Sequence, residues 1–229
     1  MQVVILAAGR GTRMGSLTDS VPKPMLKVGD KNLIEHKLDA LPPEVDEVIL
    51  VVGYLADVIR NYFGDSFGGR TIKYVYQDKL MGTAHSLWQA KDLLRGRFLV
   101  LAGDDIYNAQ DIAKVLEVPS WVMMFANVPN LYCGGRAVID DQGHLVDIIE
   151  GADHGGQPGL VYTSLCLLTT DIFQTEPVKL PDKEEYGLPQ TILNFKETRP
   201  IKAILATDWR QITAPEDLHP VVNFDITTS

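Results

Sequence analysis

Short apolar runs recur through the first half of the chain: Val3–Ala7, Val48–Val52, Ile72–Tyr76 and Phe98–Leu101, each bounded by glycine or charge. Runs of this length, rich in Val, Ile and Leu, predict buried strands. Between them, Leu33–Leu41, Leu55–Phe63 and Ala84–Leu94 read as helices. In the last, Ala84, Leu87, Trp88 and Leu94 fall near one face, and Thr83 stands where an N-cap is expected. Strand–helix alternation predicts a mostly parallel sheet with helices on both faces. The second half changes character. Trp121–Ala126, Arg136–Ile139, Leu145–Ile149 and Leu160–Leu168 are strand-like with few helices between them, which predicts a mixed or antiparallel subregion. A helix near Leu188–Phe195, a strand at Ile201–Leu205 and a short helix after Pro215 follow. No internal repeat or low-complexity linker divides the pattern, so residues 1–229 read as one domain.

Composition narrows the function classes. The 229 residues are 45% hydrophobic and 22% charged, as in ordinary globular proteins, and carry a formal net charge of −9. That charge argues against a nucleic-acid partner, whose phosphates need clustered Lys and Arg, but leaves room for one local anion site. Cys133 and Cys166 are too few for a disulfide framework and read as buried thiols in a reducing compartment. The apolar run from Val3 stops at Gly9 and Arg10, with no preceding charge, unlike a signal peptide. No window approaches the ~20 apolar residues of a membrane span. A cytoplasmic protein with no membrane partner is expected.

The chemistry concentrates after the first strand, in Leu6-Ala7-Ala8-Gly9-Arg10-Gly11-Thr12-Arg13-Met14-Gly15. Glycines there let the backbone approach a ligand and aim several N–H groups at one anion. Arg10 and Arg13 add guanidinium groups able to grip phosphate oxygens with two donors. Lys23, between Pro22 and Pro24, is expected in a non-helical segment that presents its ammonium at a fixed place. Three readings compete: a tight turn with solvated basic residues, a dinucleotide-binding turn, and a triphosphate loop. The G-x-G-x-x-x-G spacing is one residue longer than the dinucleotide fingerprint, and Ser16–Pro22 has no helical periodicity. The G-K-[ST] ending of a P-loop is absent as well.

Leu6-Ala7-Ala8-Gly9-x-Gly11-Thr12-Arg13, followed by Pro22-Lys23-Pro24-Met25-Leu26, resembles the signature of the sugar-1-phosphate nucleotidyltransferases. Within that family it is most similar to the glucose-1-phosphate thymidylyl- and uridylyltransferases. The resemblance implies a Rossmann-like α/β fold, a mixed, mostly parallel sheet flanked by helices with a smaller antiparallel sugar-binding subregion. It implies a nucleotide-binding half over residues 1–106 and a sugar-phosphate half over 107–229. It further implies that the first loop (Leu6, Ala8, Gly9, Gly11, Thr12) wraps a nucleoside triphosphate, with Arg13 and Lys23 on its phosphates.

Later segments extend the likeness. Gln77 and Gly82-Thr83-Ala84-His85 resemble the family's nucleobase-reading segment. An amide such as Gln77 can both donate and accept, as a pyrimidine edge requires, and Gly82 would let the base lie against the backbone. His85 reads as structural. Gly103-Asp104-Asp105, past a buried strand, matches the family's Gly-Asp pattern and implies Asp104 as a ligand of Mg²⁺, with Asp105 at a variable position. Gly135 and Glu150 match the sugar-binding stretch. Gly151 stands where relatives usually have Lys, Ser164 where they have glycine, and Gln211 where they often have Asp as a second metal ligand. The implied reaction is nucleotidyl transfer from UTP or dTTP to a sugar 1-phosphate, with Mg²⁺ as cofactor and a homo-oligomer as a possible assembly. A CTP-dependent enzyme acting on a phosphate such as phosphocholine, and a non-catalytic sensing relative, are the alternatives.

Overall fold

A computed structural model describes residues 1–150, 153–181 and 183–219. Its centre is an eight-stranded sheet in the order Ile201–Leu205, Trp121–Leu131, Gln157–Thr169, Arg97–Ala102, Gln2–Ala7, Glu47–Val52, Arg70–Tyr76, Ser66–Phe67. The first strand pairs in parallel with Glu47–Val52 on one side and Arg97–Ala102 on the other, and Glu47–Val52 pairs in parallel with Arg70–Tyr76. The long strand Gln157–Thr169 runs antiparallel to both its neighbours, whereas Ile201–Leu205 returns parallel to Trp121–Leu131. A hairpin, Arg136–Ile139 with Leu145–Ile149, forms a separate antiparallel pair in the second half. The mixed, mostly parallel sheet with an antiparallel annex matches the expected architecture.

Alternation along the strands builds two cores. Val3, Ile5, Val48, Leu50, Leu99 and Leu101 face one side; Val4, Ile49, Val51, Phe98 and Val100 face the other. Helices α1 (Leu33–Ala40), α2 (Ala56–Phe63) and α4 (Ala109–Glu117) cover the first face through Ile34, Leu38, Ile59, Phe63, Ile112 and Val115. Helices α3 (Gly82–Gln89) and α5 (Leu188–Leu193) cover the second through Ala84, Leu87, Leu188 and Ile192. No described helix is long and apolar enough to cross a membrane.

Several local expectations need correction. Helix α4 was not anticipated; the Asn108 side chain caps it by accepting from the Gln110 N–H at 2.8 Å. Thr83 is not an N-cap, because α3 begins at Gly82; its hydroxyl accepts instead from the Leu188 N–H at 3.0 Å and ties α3 to α5. The segment after Gly11 opens no α-helix and folds into short 3₁₀ turns over Thr12–Thr18, broken at Gly15. Lys23 opens a further 3₁₀ turn, Lys23–Met25, after an extended Pro22. Of the two thiols only Cys166 is buried; Cys133 is exposed.

Candidate active site

Following the chain outward from the first strand, the sheet grows through Glu47–Val52 to Arg70–Tyr76, then jumps back to place Arg97–Ala102 on the opposite side. This reversal leaves a crevice outside the carboxyl ends of Gln2–Ala7 and Arg97–Ala102, where ligands settle in open α/β sheets. A cleft of about 400 Å³ opens there, bordered by Leu6, Ala8, Gly9, Gln77, Gly82, Thr83, Asp104 and Gln211 among others. A second hollow of about 250 Å³ adjoins it, sharing Leu6, Gly9 and Asp104 and adding Gly11, Thr12, Arg13 and Lys23. The resemblance assigned these twelve residues to nucleotide, phosphate or metal, and the fold gathers all of them. Gly135 and Glu150 border neither cavity; Glu150 reaches the cleft only through Gln190, which donates to it at 2.9 Å beside the lining residue Pro189. Gly151 lies outside the described residues.

The geometry around Gly11 and Lys23 follows from close packing. Gly11 has φ +68°, and a Cβ there would stand 2.7 Å from the Cβ of Lys23, so only glycine lets the loop lie across that side chain. Lys23 is 6% exposed, and its ammonium pairs with Asp104 Oδ2 at 2.5 Å. Arg13 is exposed at the rim and makes no ion pair among the described residues. Arg10, also expected to grip phosphate, instead places its guanidinium over the Tyr54 ring, 5.2 Å from the centroid.

Gly82 carries a structural constraint of its own beside the expected one. Its φ is +89°, and a Cβ would meet the Tyr186 carbonyl oxygen at 2.5 Å; the constraint comes from the protein's own backbone. Gln77 is buried, and its amide nitrogen already donates to the Lys79 carbonyl at 3.0 Å and contacts His85 Nδ1 at 2.9 Å. In this orientation its nitrogen faces the protein rather than the cleft, which leaves its oxygen to accept from a ligand.

The cluster around Asp104 and Asp105 holds what sequence reasoning missed. Gln211 lies directly across a two-strand ladder from Asp105. Asp105 is 1% exposed; the Trp209 indole N–H donates to its Oδ2 at 3.1 Å, while its Oδ1 accepts nothing. Burial pushes its carboxyl up to about 7, the Asp104 charge adds to the rise, and Lys37 opposes it. Lys37 is fully buried, donating to the carbonyls of Leu33 at 3.0 Å and Gly103 at 3.1 Å, the residue just before Asp104. Burial pulls its ammonium down to about 8 despite the attraction of Asp105 and Asp104. The one signal for Lys37 in the sequence is a charge on the apolar stripe Leu33, Ile34, Lys37, Leu38 of α1.

Three buried side-chain atoms lack a hydrogen-bond partner among the described residues: Ser86 Oγ, Asp105 Oδ1 and the Tyr162 hydroxyl. All three residues line the same cleft. Ser164, also lining it, has φ +57°, in the left-handed region that side chains rarely adopt. A larger hollow of about 710 Å³ beside α2 and Arg70–Tyr76 has no such atom.

Residues 2–119 match the family described as nucleotidyl transferase. The chain is a sugar-phosphate nucleotidyltransferase of that family. It is 31% identical to the UTP–glucose-1-phosphate uridylyltransferase AglF of Haloferax volcanii, over 95% of this chain and 93% of that one. It is 29% identical to the D-glycero-alpha-D-manno-heptose 1-phosphate guanylyltransferase of Campylobacter jejuni, over 96% and 97% of the two chains. The crystal structure of a UDP-glucose pyrophosphorylase complexed with UDP-glucose shares the fold, with a TM-score of 0.77 at 20% identity, covering 95% of each chain.

Proposed function

We propose that this enzyme transfers a uridylyl or thymidylyl group from UTP or dTTP to a sugar 1-phosphate, with Mg²⁺, giving a nucleoside diphosphate sugar and pyrophosphate. The observation that carries this reading is the joining of two cavities at Gly9 and Asp104, one lined by Gln77 and Thr83, the other by Arg13 and Lys23. A base in the first and a triphosphate in the second would put the α-phosphorus near Asp104. The uridylyltransferase relative supports uracil as the base.

The reaction is an in-line attack by a phosphate oxygen of the sugar phosphate on the α-phosphorus, with pyrophosphate departing. The nucleophile's second pKa is about 6, so at neutral pH it is already largely a dianion and needs no general base. The barrier is electrostatic, since two polyanions must meet. Lys23, Arg13 and the N–H groups of the Gly9–Thr12 loop would neutralise and orient the triphosphate. Lys37 would hold the Gly103 carbonyl and with it the turn carrying Asp104.

The donors fit Mg²⁺. Asp104 offers a partly exposed carboxylate, Asp105 Oδ1 is buried without a partner at the cleft, and Gln211 faces Asp105. These are hard oxygen donors in the small number that Mg²⁺ takes from protein. When bound, Mg²⁺ supplies charge neutralisation on the phosphate oxygens. Two other oxygen donors lie elsewhere: Asp208 borders a separate hollow with Val28 and Tyr107, and the Thr213 hydroxyl donates to Asp217.

Pyrophosphate release measured across UTP, dTTP, GTP, CTP and ATP, each with a panel of sugar 1-phosphates and phosphocholine, tests the reading. Release with UTP or dTTP and one sugar phosphate is expected. Preference for GTP or ATP would overturn the base assignment, phosphocholine use the acceptor, and silence throughout the activity itself.

A further inference from the structure

The Gln77 amide is held from two sides. Its nitrogen stands 3.0 Å from the Lys79 carbonyl oxygen, which can only accept, so the nitrogen and not the oxygen must face it. The same nitrogen lies 2.9 Å from His85 Nδ1. With one amide hydrogen on Lys79, the other points to Nδ1, which must therefore accept, and the imidazole proton sits on Nε2. The Gln89 nitrogen stands 3.2 Å from that second nitrogen and 3.2 Å from the His85 carbonyl oxygen; these contacts are longer and less buried than those of Gln77, so the Gln89 amide is the one that turns to accept the proton. Both hydrogens of Gln77 are thus consumed inside the protein. Its Oε1 accepts from no described residue, and Gln77 borders the cleft beside Gly82 and Thr83.

We propose that His85 is a positioning residue that, with the Lys79 carbonyl, fixes Gln77 with its oxygen toward the cleft, so that the site selects bases carrying a ring N–H. Uracil and thymine present N3–H, and guanine presents N1–H. Cytosine and adenine present a ring-nitrogen lone pair at the corresponding place, which an amide oxygen repels. This class spans the bases named for both the uridylyl- and the guanylyltransferase relatives. A half-turn of the amide, which would admit cytosine, is opposed by two lost contacts in the native protein. Without His85 it is opposed by one. The inference rests on the nucleotidyl-transfer reading for the identity of the ligand.

The test measures binding as well as turnover. Kd values for UTP, GTP, CTP and ATP are obtained by calorimetry for the native enzyme, H85A and H85N, alongside thermal melts and kcat/KM with the accepted sugar phosphate. The native enzyme should bind UTP at least tenfold more tightly than CTP. H85A should reduce that ratio at least fivefold, with UTP weakened more than CTP. H85N should keep it, because an amide oxygen can accept in place of Nδ1. Native affinities equal within twofold for UTP and CTP, or an H85A ratio unchanged in a folded protein, would overturn the inference. A ratio lost equally in H85N would overturn it too. An intact UTP/CTP binding ratio without pyrophosphate release would sink the activity and leave this inference standing. Binding of no nucleotide would sink both.

Discussion

Replacing Lys37 by methionine keeps the length of the side chain and removes its charge. The ammonium is fully buried and makes two bonds, to the carbonyls of Leu33 and Gly103. Burial lowers its pKa from 10.5 to about 8, equivalent to roughly 3 kcal/mol against the charged form at neutral pH. Against that stand two hydrogen bonds from a charged donor, worth about 1.5–3 kcal/mol each. The opposing terms are of similar size, so K37M should lie within about 2 kcal/mol of the native stability at pH 7. The pH dependence separates the two proteins. The native-state pKa lies below the unfolded value, so between about 8 and 10.5 the unfolded chain binds the extra proton, and Lys37 makes native stability rise with pH. K37M lacks that contribution. Urea unfolding of both proteins at pH 7 and pH 10 reads it together with Asp105, whose carboxyl rises further without Lys37; both changes widen the native advantage over K37M as pH rises. Turnover should fall at least tenfold, since the turn carrying Asp104 loses its anchor. An unchanged stability difference between the two pH values, or undiminished turnover in a folded variant, would refute the role assigned to Lys37.

Lys23→Ala and Arg13→Ala should each lower kcat/KM at least tenfold with the melting temperature of R13A unchanged; near-native turnover in either would remove that residue from the phosphate site. Ser164→Gly should raise stability by about 1 kcal/mol, because glycine adopts φ +57° without steric conflict, and a lower urea midpoint would refute the strain. Gln211→Asp should lower the Mg²⁺ concentration for half-maximal rate without changing sugar preference, as a carboxylate binds a hard cation better than an amide. A superimposable Mg²⁺ titration would remove Gln211 from the metal site.

The parts of the fold legible in the sequence are those where burial is complete. Val48, Ile49, Leu50, Val51 and Val52 are all at or below 1% exposed, so the strand reads as an unbroken apolar run. Helix α4 escaped because its buried face carries Asp111, which accepts from the Thr207 and Asp208 backbone and breaks the apolar stripe. The 3₁₀ turns over Thr12–Thr18 have no periodicity to read. The glycine-rich loop, Lys23, Gln77 and Asp104 were visible as local motifs. Lys37, Asp105, Ser86 and Tyr162 were not, because their meaning lies in contacts remote in sequence: the Trp209–Asp105 bond spans 104 residues. The polarity of the Gln77 amide was equally hidden, since no residue type states which end of an amide is already occupied.

The distribution of unfavourable features over the molecule supports the same assignment from a different direction. A buried polar atom without a partner costs about 1–3 kcal/mol, and folded proteins rarely keep one without a reason. Here the three such atoms among the described residues border the crevice where the strand order reverses, as does Ser164, one of the two left-handed non-glycine residues described; the other, Leu55, borders the hollow beside α2. Locally broken rules of this kind gather at functional sites, where a ligand completes what the protein leaves open. The Lys23–Asp104 pair shows the complementary device. In a chain of net charge −9, the buried Lys23 ammonium and the Asp104 carboxylate hold each other at 2.5 Å. A triphosphate drawing on Lys23 would free Asp104 for a cation, and a cation on Asp104 would free Lys23 for phosphate. The two ligands should therefore assist each other's binding, since each relieves the partner that the other leaves behind.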